Sequence, residues 1–276
     1  MRKYIKLLSI LILVFTLTGF SLISCTQAPV TGRSQFILLS EDQEIEMGLV
    51  AFQDVLKKEK ISKNTKYNSS VTRVGKRIAQ ASGKTGYKWE YKVIDNDDTI
   101  NAFALPGGKI AVYTGILKVA ETEAGLATVM GHEVAHATAR HGGERISVGI
   151  LAQLGAVGLN VALRNKDPQT INAINAAFGT GVTLGGILPF NRKQESEADQ
   201  IGLIYMAKAG YDPRESINFW KRMAAANKGR PNPPEFLSTH PSHGTRITNL
   251  NKWIPGAMET YNKSPKASSQ RIALKK

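Results

Sequence analysis

The stretch from Glu121 to His141 constrains the fold of this chain more than any other part of the sequence. It contains no proline, and its apolar side chains recur four residues apart at Leu126, Met130 and Val134. Apolar residues at this spacing lie on one face of an α-helix. The pattern therefore predicts one helix of about five turns.

The predicted helix carries the sequence His-Glu-Val-Ala-His at positions 132–136. Residues four apart on a helix differ by about 40° around its axis, so His132 and His136 can present both imidazoles to one metal ion. Glu133 is about 100° from His132 and can reach a water molecule at that ion without binding the ion itself. Two hydrogen-bonded histidines on a buried helix would give the same pattern, so a further ligand is needed to indicate a metal site.

A catalytic zinc ion takes a third protein ligand and keeps a fourth position open. His141 lies half a turn round the predicted helix from His132, which argues against it as that ligand. Glu195 and Asp199 stand four apart in Glu-Ser-Glu-Ala-Asp and share one helix face, whereas Glu197 points away. Such an acidic cluster can also be a solvated helix face. Beside the paired histidines, it predicts Glu195 as the third ligand and Asp199 as the group that orients a ligand histidine.

The combination of HExxH with a distant ExxxD resembles the gluzincin peptidases that include the CAAX prenyl protease, the heat-shock membrane protease HtpX and the periplasmic lipoprotein protease LoiP. The matching residues are His132, Glu133, His136, Glu195 and Asp199. The resemblance covers about residues 29–253. It implies an α+β, predominantly helical, zincin-like fold with a small β-sheet beside the active-site helix, one Zn²⁺ per chain, and hydrolysis of peptide bonds.

Two further segments resemble the same family. The segment 101–108 resembles the approach to the edge strand beside the cleft, and its first four residues are assigned to substrate binding: Asn101, Ala102, Phe103 and Ala104. Thr239-His240-Pro241, followed by Arg246, resembles the late histidine-arginine element. The resemblance implies that His240 lies near the metal-bound water and stabilises the transition state, and that Arg246 pairs with Asp199.

Periodicity and turn residues place the remaining elements. Helices are predicted at 40–58, 68–82, 193–209 and 212–226 and shortly after Ser242, and strands at 89–93 and 109–113. Substrate is expected to add as an extended strand beside residues 109–113. Region 149–190 is apolar, but its many glycines and asparagines argue against bilayer spans. It predicts two helices over or beside the site, with membrane-surface contact as the alternative.

The N-terminus predicts an exported lipoprotein. Three basic residues precede an uncharged apolar run in residues 1–24, which is typical of a secretory signal. Leu-Ile-Ser-Cys at its end resembles a lipobox, so Cys25 is the expected lipidation site. The predicted organisation is a signal peptide (1–24), a lipidated tether (25–39), one catalytic domain (40–260) and a flexible basic tail (261–276). Together these features predict a periplasm-facing lipoprotein of the outer membrane.

The formal net charge is +14, and it remains +11 without residues 1–24. The basic residues are scattered, and the sequence has no zinc finger or basic recognition helix, which argues against a nucleic-acid partner. Anionic lipid head groups or acidic protein surfaces fit this charge better.

The sequence thus predicts a zinc endopeptidase for misfolded or unassembled envelope proteins. Glu133 would act as the general base, with zinc and His240 stabilising the oxyanion. The alternative is a zinc-stabilised chaperone or assembly factor that binds clients without cutting them, although a structural site has no need of Glu133. A latent protease, in which the His240 loop or region 149–190 plugs the cleft, is compatible with the first function. The expected partners are protein or peptide substrates and a membrane, and the oligomeric state is not determined.

Overall fold

The computed structural model describes residues 26–228, 235–240 and 245–272, and these form a mainly helical α+β fold, which confirms the predicted fold class. The helices are α1 (Glu41–Lys58), α2 (Thr65–Ser82), α3 (Thr114–Ala120), α4 (Glu123–Thr138), α5 (His141–Leu163), α6 (Pro168–Val182), α7 (Leu188–Lys208), α8 (Glu215–Asn227), α9 (Glu235–Thr239) and α10 (Arg246–Lys263). The strands are β1 (Thr26–Gln27), β2 (Ser34–Gln35), β3 (Glu90–Ile94), β4 (Ala102–Leu105) and β5 (Lys109–Tyr113). A π-helical turn, Thr183–Ile187, joins α6 to α7.

The small sheet has the strand order β3-β5-β4. β5 pairs in parallel with β3 and antiparallel with β4, so both of its edges are hydrogen-bonded within the protein. The prediction that substrate adds beside residues 109–113 is therefore wrong, because β5 is the central strand. The free edge on the side of the catalytic helix belongs to β4, which contacts α4.

Helices α4 and α7 pack together through the core of the domain. Every residue of α4 is buried. The two helices approach most closely at Gly131 and Gly202, where a Cβ atom added to Gly202 would lie 2.8 Å from the backbone of Gly131 and His132. Glycine at these two positions therefore lets the backbones touch, and it brings the end of α4 that carries the histidines against the acidic segment of α7.

The predicted helix 121–141 breaks before its end. α4 stops at Thr138, and Arg140 adopts a left-handed conformation with φ 52°, after which α5 begins at His141. The Arg140 guanidinium donates to Glu44 Oε1 at 2.6 Å and to the Leu39 carbonyl at 2.8 Å. The left-handed conformation is unfavourable for a residue other than glycine, and these tertiary contacts stabilise it at Arg140. Because the contacts are not local, the periodicity of the sequence could not predict the break.

The two ends of the described chain pack against the domain, in contrast to the expected tether and loose tail. β1 and β2 form an antiparallel hairpin, and Ala28 and Ile37 are buried. At the other end, Ile272 is buried and the Glu123 amide donates to the Gln270 carbonyl at 2.9 Å. Residues 1–25, including the predicted signal and Cys25, lie outside the described residues.

Candidate metal centre

Four side chains from three parts of the chain converge at the contact between α4 and α7. His132 and His136 come from α4, Glu195 comes from α7, and His240 directly follows α9; all four are buried. Their ligand atoms lie within 4.8 Å of one another. The structure thus brings together the three predicted metal ligands and adds His240 to the same set.

The spacing of these atoms suits a small divalent ion. His132 Nε2 lies 3.1 Å from His136 Nε2 and 3.2 Å from Glu195 Oε2, and His136 Nε2 lies 3.3 Å from Glu195 Oε1. In a tetrahedral site with zinc–ligand distances of about 2.0–2.1 Å, neighbouring ligand atoms are about 3.3–3.4 Å apart. The observed separations are close to the edges of such a tetrahedron.

The surroundings of His132 also indicate a cation site. The His132 Nδ1–H donates to Asp199 Oδ1 at 2.9 Å, so Nε2 of the neutral ring presents a lone pair to the centre. Burial lowers the pKa of His132, but hydrogen bonds to Asp199 and Glu195 outweigh burial and raise this pKa to about 10. The surroundings of His132 therefore favour a positive charge, which a bound metal ion supplies.

Arg246 connects the two acidic residues of α7. Its Nε donates to Asp199 Oδ2 at 2.6 Å, and its Nη2 donates to Glu195 Oε2 at 3.3 Å. The guanidinium lies 3.9 Å from the centroid of the Trp220 ring, which fixes its plane. Arg246 thereby holds both carboxylates in position beside the histidines.

Glu133 lies beside the ligand set and outside it. Burial raises the pKa of this carboxyl above its ordinary value. Within the described part of the chain, Glu133 Oε1 has no hydrogen-bond partner, and it lies 3.5 Å from His240 Nε2. A buried carboxylate with a free oxygen and a raised pKa has the properties of a general base at neutral pH.

The predicted substrate-binding residues occupy the edge strand beside this centre. Ala102, Phe103 and Ala104 belong to β4, and Asn101 is buried immediately before it, where its side chain accepts from the Ala102 amide at 2.9 Å. The Ala104 backbone lies close enough to the Glu133 carboxylate to lower its pKa slightly, against the larger effect of burial. The edge strand and the candidate base are therefore in direct contact.

Sequence reasoning missed a hydrogen-bond network behind His136. His141 Nδ1 lies 2.9 Å from His136 Nδ1, and His141 Nε2 lies 3.1 Å from Glu197 Oε2. Because a carboxylate accepts, His141 Nε2 must be the donor; burial lowers the pKa of His141 and keeps the ring neutral. Its Nδ1 then accepts the His136 Nδ1–H, which leaves the His136 Nε2 lone pair facing the metal position.

The N-terminal hairpin completes this network. Arg33, between β1 and β2, donates from Nε to Glu197 Oε2 and makes a two-point contact with Glu144, each at 2.7 Å. Glu197 was expected to point away from the centre, but it is buried. The position of His141 just after the paired histidines was the one feature of the sequence that could have indicated this network. Arg33 is far from the motif in the chain, so its role could not be recognised from the sequence.

Replacing His141 with alanine is expected to weaken zinc binding by about 10–100-fold, because His136 loses the acceptor that fixes its tautomer and ring orientation. Competition against a chelator of known affinity measures the effect. His141→Gln, which retains an acceptor, should lose less affinity, and Lys76→Ala, at an exposed position of α2, serves as the control. Unchanged zinc affinity in His141→Ala would show that the network does not position His136.

Comparison with known proteins supports the same chemistry. The model of peptidase family M48 matches residues 65–254. The mitochondrial metalloendopeptidase OMA1 of Saccharomyces cerevisiae is 36% identical over 95% of this chain and 77% of its own length. OMA1 of Schizosaccharomyces pombe is 38% identical over 83% of this chain and 66% of its own length. The β-barrel assembly-enhancing protease of Yersinia pestis is 28% identical over 80% of this chain and 46% of its own length.

These relatives correct the predicted localisation. The chain was expected to be a periplasm-facing lipoprotein of the outer membrane, but the two relatives at 36% and 38% identity are mitochondrial metalloendopeptidases. The localisation prediction is therefore wrong. It rested on the N-terminal residues alone, and a short charged and apolar leader is a weak guide to the compartment of the folded domain.

Proposed function

Because the chain belongs to peptidase family M48 and is a zinc metalloendopeptidase, we propose that it cuts unfolded polypeptide segments that bind as an extended strand along β4. The observation that carries this proposal is that β4, an edge strand of the sheet, packs against α4, the helix that carries His132, Glu133 and His136. Backbone pairing along a sheet edge makes few demands on side chains. This mode of binding therefore suits unfolded substrates of many different sequences.

His132, His136 and Glu195 would hold the zinc ion, and Asp199, Arg246 and His141 would hold these ligands in place. When bound, zinc supplies a Lewis acid that polarises the peptide carbonyl and lowers the pKa of the attacking water. Glu133 takes the proton from this water and passes it to the nitrogen of the departing amine. Its raised pKa makes it both a sufficient base for the first transfer and a sufficient acid for the second.

The substrate class proposed here is misfolded or unassembled proteins of a membrane envelope. The β-barrel assembly-enhancing protease of Yersinia pestis lends support, since its name links a related protease to β-barrel assembly. Attachment to a membrane by a lipid at Cys25 also remains a proposal, and mass measurement of the mature N-terminus tests it.

Cleavage of an unfolded protein distinguishes the protease from the alternative chaperone or assembly factor. The zinc-loaded chain is expected to cut casein, and to cut a reduced and alkylated protein much faster than its native form, because only an extended segment can pair with β4. Peptide products are measured by mass spectrometry. Tight binding of the unfolded protein with full recovery of intact client would support the chaperone and contradict the protease.

The position of His240 supports a second proposal, that the described arrangement is a latent state. His240 Nδ1 lies 3.1 Å from Glu195 Oε2 and 3.2 Å from His132 Nε2, in the place of a fourth ligand. A catalytic zinc site needs this position for water or substrate. His240 must therefore leave the centre before the chain can act, and the transition-state role expected for it would apply only in an open state.

His240→Ala is expected to raise casein cleavage several-fold if His240 blocks the centre. Initial rates at equal zinc content measure this, with His240→Gln tested in parallel. A loss of about 10²–10³ in kcat, the usual cost of removing one oxyanion donor, would instead assign His240 to the transition state and refute the latent state.

A further inference from the structure

The helices between the two halves of the metal centre form an exposed apolar hairpin, which we define as residues 146–190. None of the residues from Val148 to Lys193 whose burial is described is buried. Leu151, Leu154, Val157 and Val161 on α5 are each more than half exposed. The region forms two helices, as predicted, but their exposure shows that they do not pack over the site, and a large apolar surface is left without a partner within the described chain.

The composition and length of the hairpin suit a lipid bilayer. Residues 146–163 and 168–190 contain no charged side chain on any face. Eighteen helical residues extend about 27 Å, close to the roughly 30 Å thickness of a hydrocarbon core. Within the described residues, α5 is the one helix long and apolar enough to cross a membrane, and 6% of its most apolar stretch is buried. A helix that is apolar all round is normally either buried in protein or surrounded by lipid.

Two of the asparagines that argued against a bilayer are satisfied inside the hairpin. Asn175 on α6 donates to Asn160 Oδ1 on α5 at 2.9 Å, and Asn160 donates to the Ala156 carbonyl of its own helix at 2.9 Å. Gly155 lets the two helices approach, since a Cβ atom there would lie 3.2 Å from the Phe178 ring. Small residues and hydrogen bonds between helices are the means by which helices associate within lipid.

Charged residues appear only where the hairpin would leave the hydrocarbon. Arg164, Lys166 and Asp167 stand at its tip, with one net positive charge, and Arg145, Arg192 and Lys193 stand at its base. Basic residues at the ends of apolar segments bind lipid phosphates, and the net charge of the chain is also positive. Anionic head groups would supply phosphate partners to these cations at both ends of the hairpin, while the uncharged stretch between them lies in hydrocarbon.

We propose that the apolar hairpin inserts into the hydrocarbon core of a membrane that contains anionic lipid. Its base is continuous with the metal centre, because α5 begins at His141 and α7 continues from the hairpin to Glu195. Insertion therefore fixes the catalytic helices next to the membrane surface. Substrates would be cut where they emerge from, or fail to enter, the bilayer; this consequence rests on the proposed function, whereas insertion itself does not.

A fluorescent probe at Leu154 tests insertion without using activity. The full chain with Cys25→Ser and Leu154→Cys is labelled with an environment-sensitive fluorophore and reconstituted into phosphatidylcholine vesicles containing phosphatidylglycerol. Cys25→Ser with Val50→Cys is the matched control, because Val50 is an apolar residue of α1 that is 54% exposed. At Leu154 we expect blue-shifted emission, strong quenching by nitroxide-labelled lipid and several-fold weaker quenching by iodide than at Val50.

A second variant checks that the apolar surface causes the effect. Adding Leu151→Glu and Val161→Glu to the chain labelled at Leu154 is expected to abolish quenching of the probe by nitroxide-labelled lipid. Both residues are exposed, so the fold should be retained. Iodide quenching at Leu154 equal to that at Val50 would overturn the proposal. Shielding from iodide without lipid quenching would also overturn it, since a second copy or another protein would then cover the hairpin.

Discussion

Replacing Glu133 with glutamine is expected to lower kcat/KM for casein by about 10²–10⁴-fold, the usual contribution of a positioned general base. Glutamine keeps the shape of the side chain but cannot accept the proton from water. Because Glu133 lies outside the ligand set, the zinc content should remain one per chain. Initial rates and metal analysis on the same preparation measure both quantities.

The matched control for this substitution is Glu46→Gln, a change of the same chemistry at an exposed position of α1. It should retain wild-type rates and zinc content. If Glu133→Gln degraded unfolded protein as fast as the wild-type chain, the mechanism would be wrong. A variant that lost zinc as well as activity would place Glu133 among the metal ligands instead.

Removing the Glu195 carboxylate is expected to weaken zinc binding strongly and to abolish peptidase activity. Glu195→Ala deletes the one anionic ligand and leaves three imidazoles with no carboxylate to balance the metal charge. Changing a residue that only supports a metal ligand, such as His141, costs about 10–100-fold in zinc affinity. Glu195→Ala removes a ligand itself, so it should lose more zinc affinity than His141→Ala. Metal analysis after dialysis and chelator competition establish this order.

Thermal unfolding supplies an independent measure of the same site. A ligand at 100 times its Kd stabilises a folded protein by about 2.7 kcal/mol, so a strong chelator should lower the Tm of the wild-type chain. The Tm of Glu195→Ala should not respond to the chelator, whereas Glu46→Ala should behave as wild type. Retention of zinc by Glu195→Ala would contradict the assigned ligand set and require another residue to bind the ion.

The sequence was most informative where one helix dictates the geometry. The spacing of His132 and His136 follows from helix geometry, and so does the shared face of Glu195 and Asp199, so these side chains could be paired from their positions in the chain alone. The helix predicted at 40–58 agrees with α1, whose start is fixed locally by a capping box between Ser40 and Gln43, residues three apart. The family, the zinc cofactor and the class of fold are confirmed.

The sequence was least informative about contacts between side chains that are far apart in the chain. Arg33 reaches Glu197 and Glu144 across more than 100 residues. The break at Arg140 depends on Glu44, and the choice of β4 over β5 as the edge strand depends on the pairing of all three strands. In each of these cases the local pattern is compatible with several partners, and packing selects one of them.

The sequence by itself determined which residues could bind zinc and which carboxylate could act as the base, since both follow from the period of a helix. Only the tertiary structure decided how the histidines are oriented, that His240 joins the ligand set, and that the hairpin between the two halves of the site is exposed. The physical reason is that periodicity fixes the relative direction of side chains on one element. The distance between elements is set by close contacts such as Gly131 with Gly202, which are created by folding.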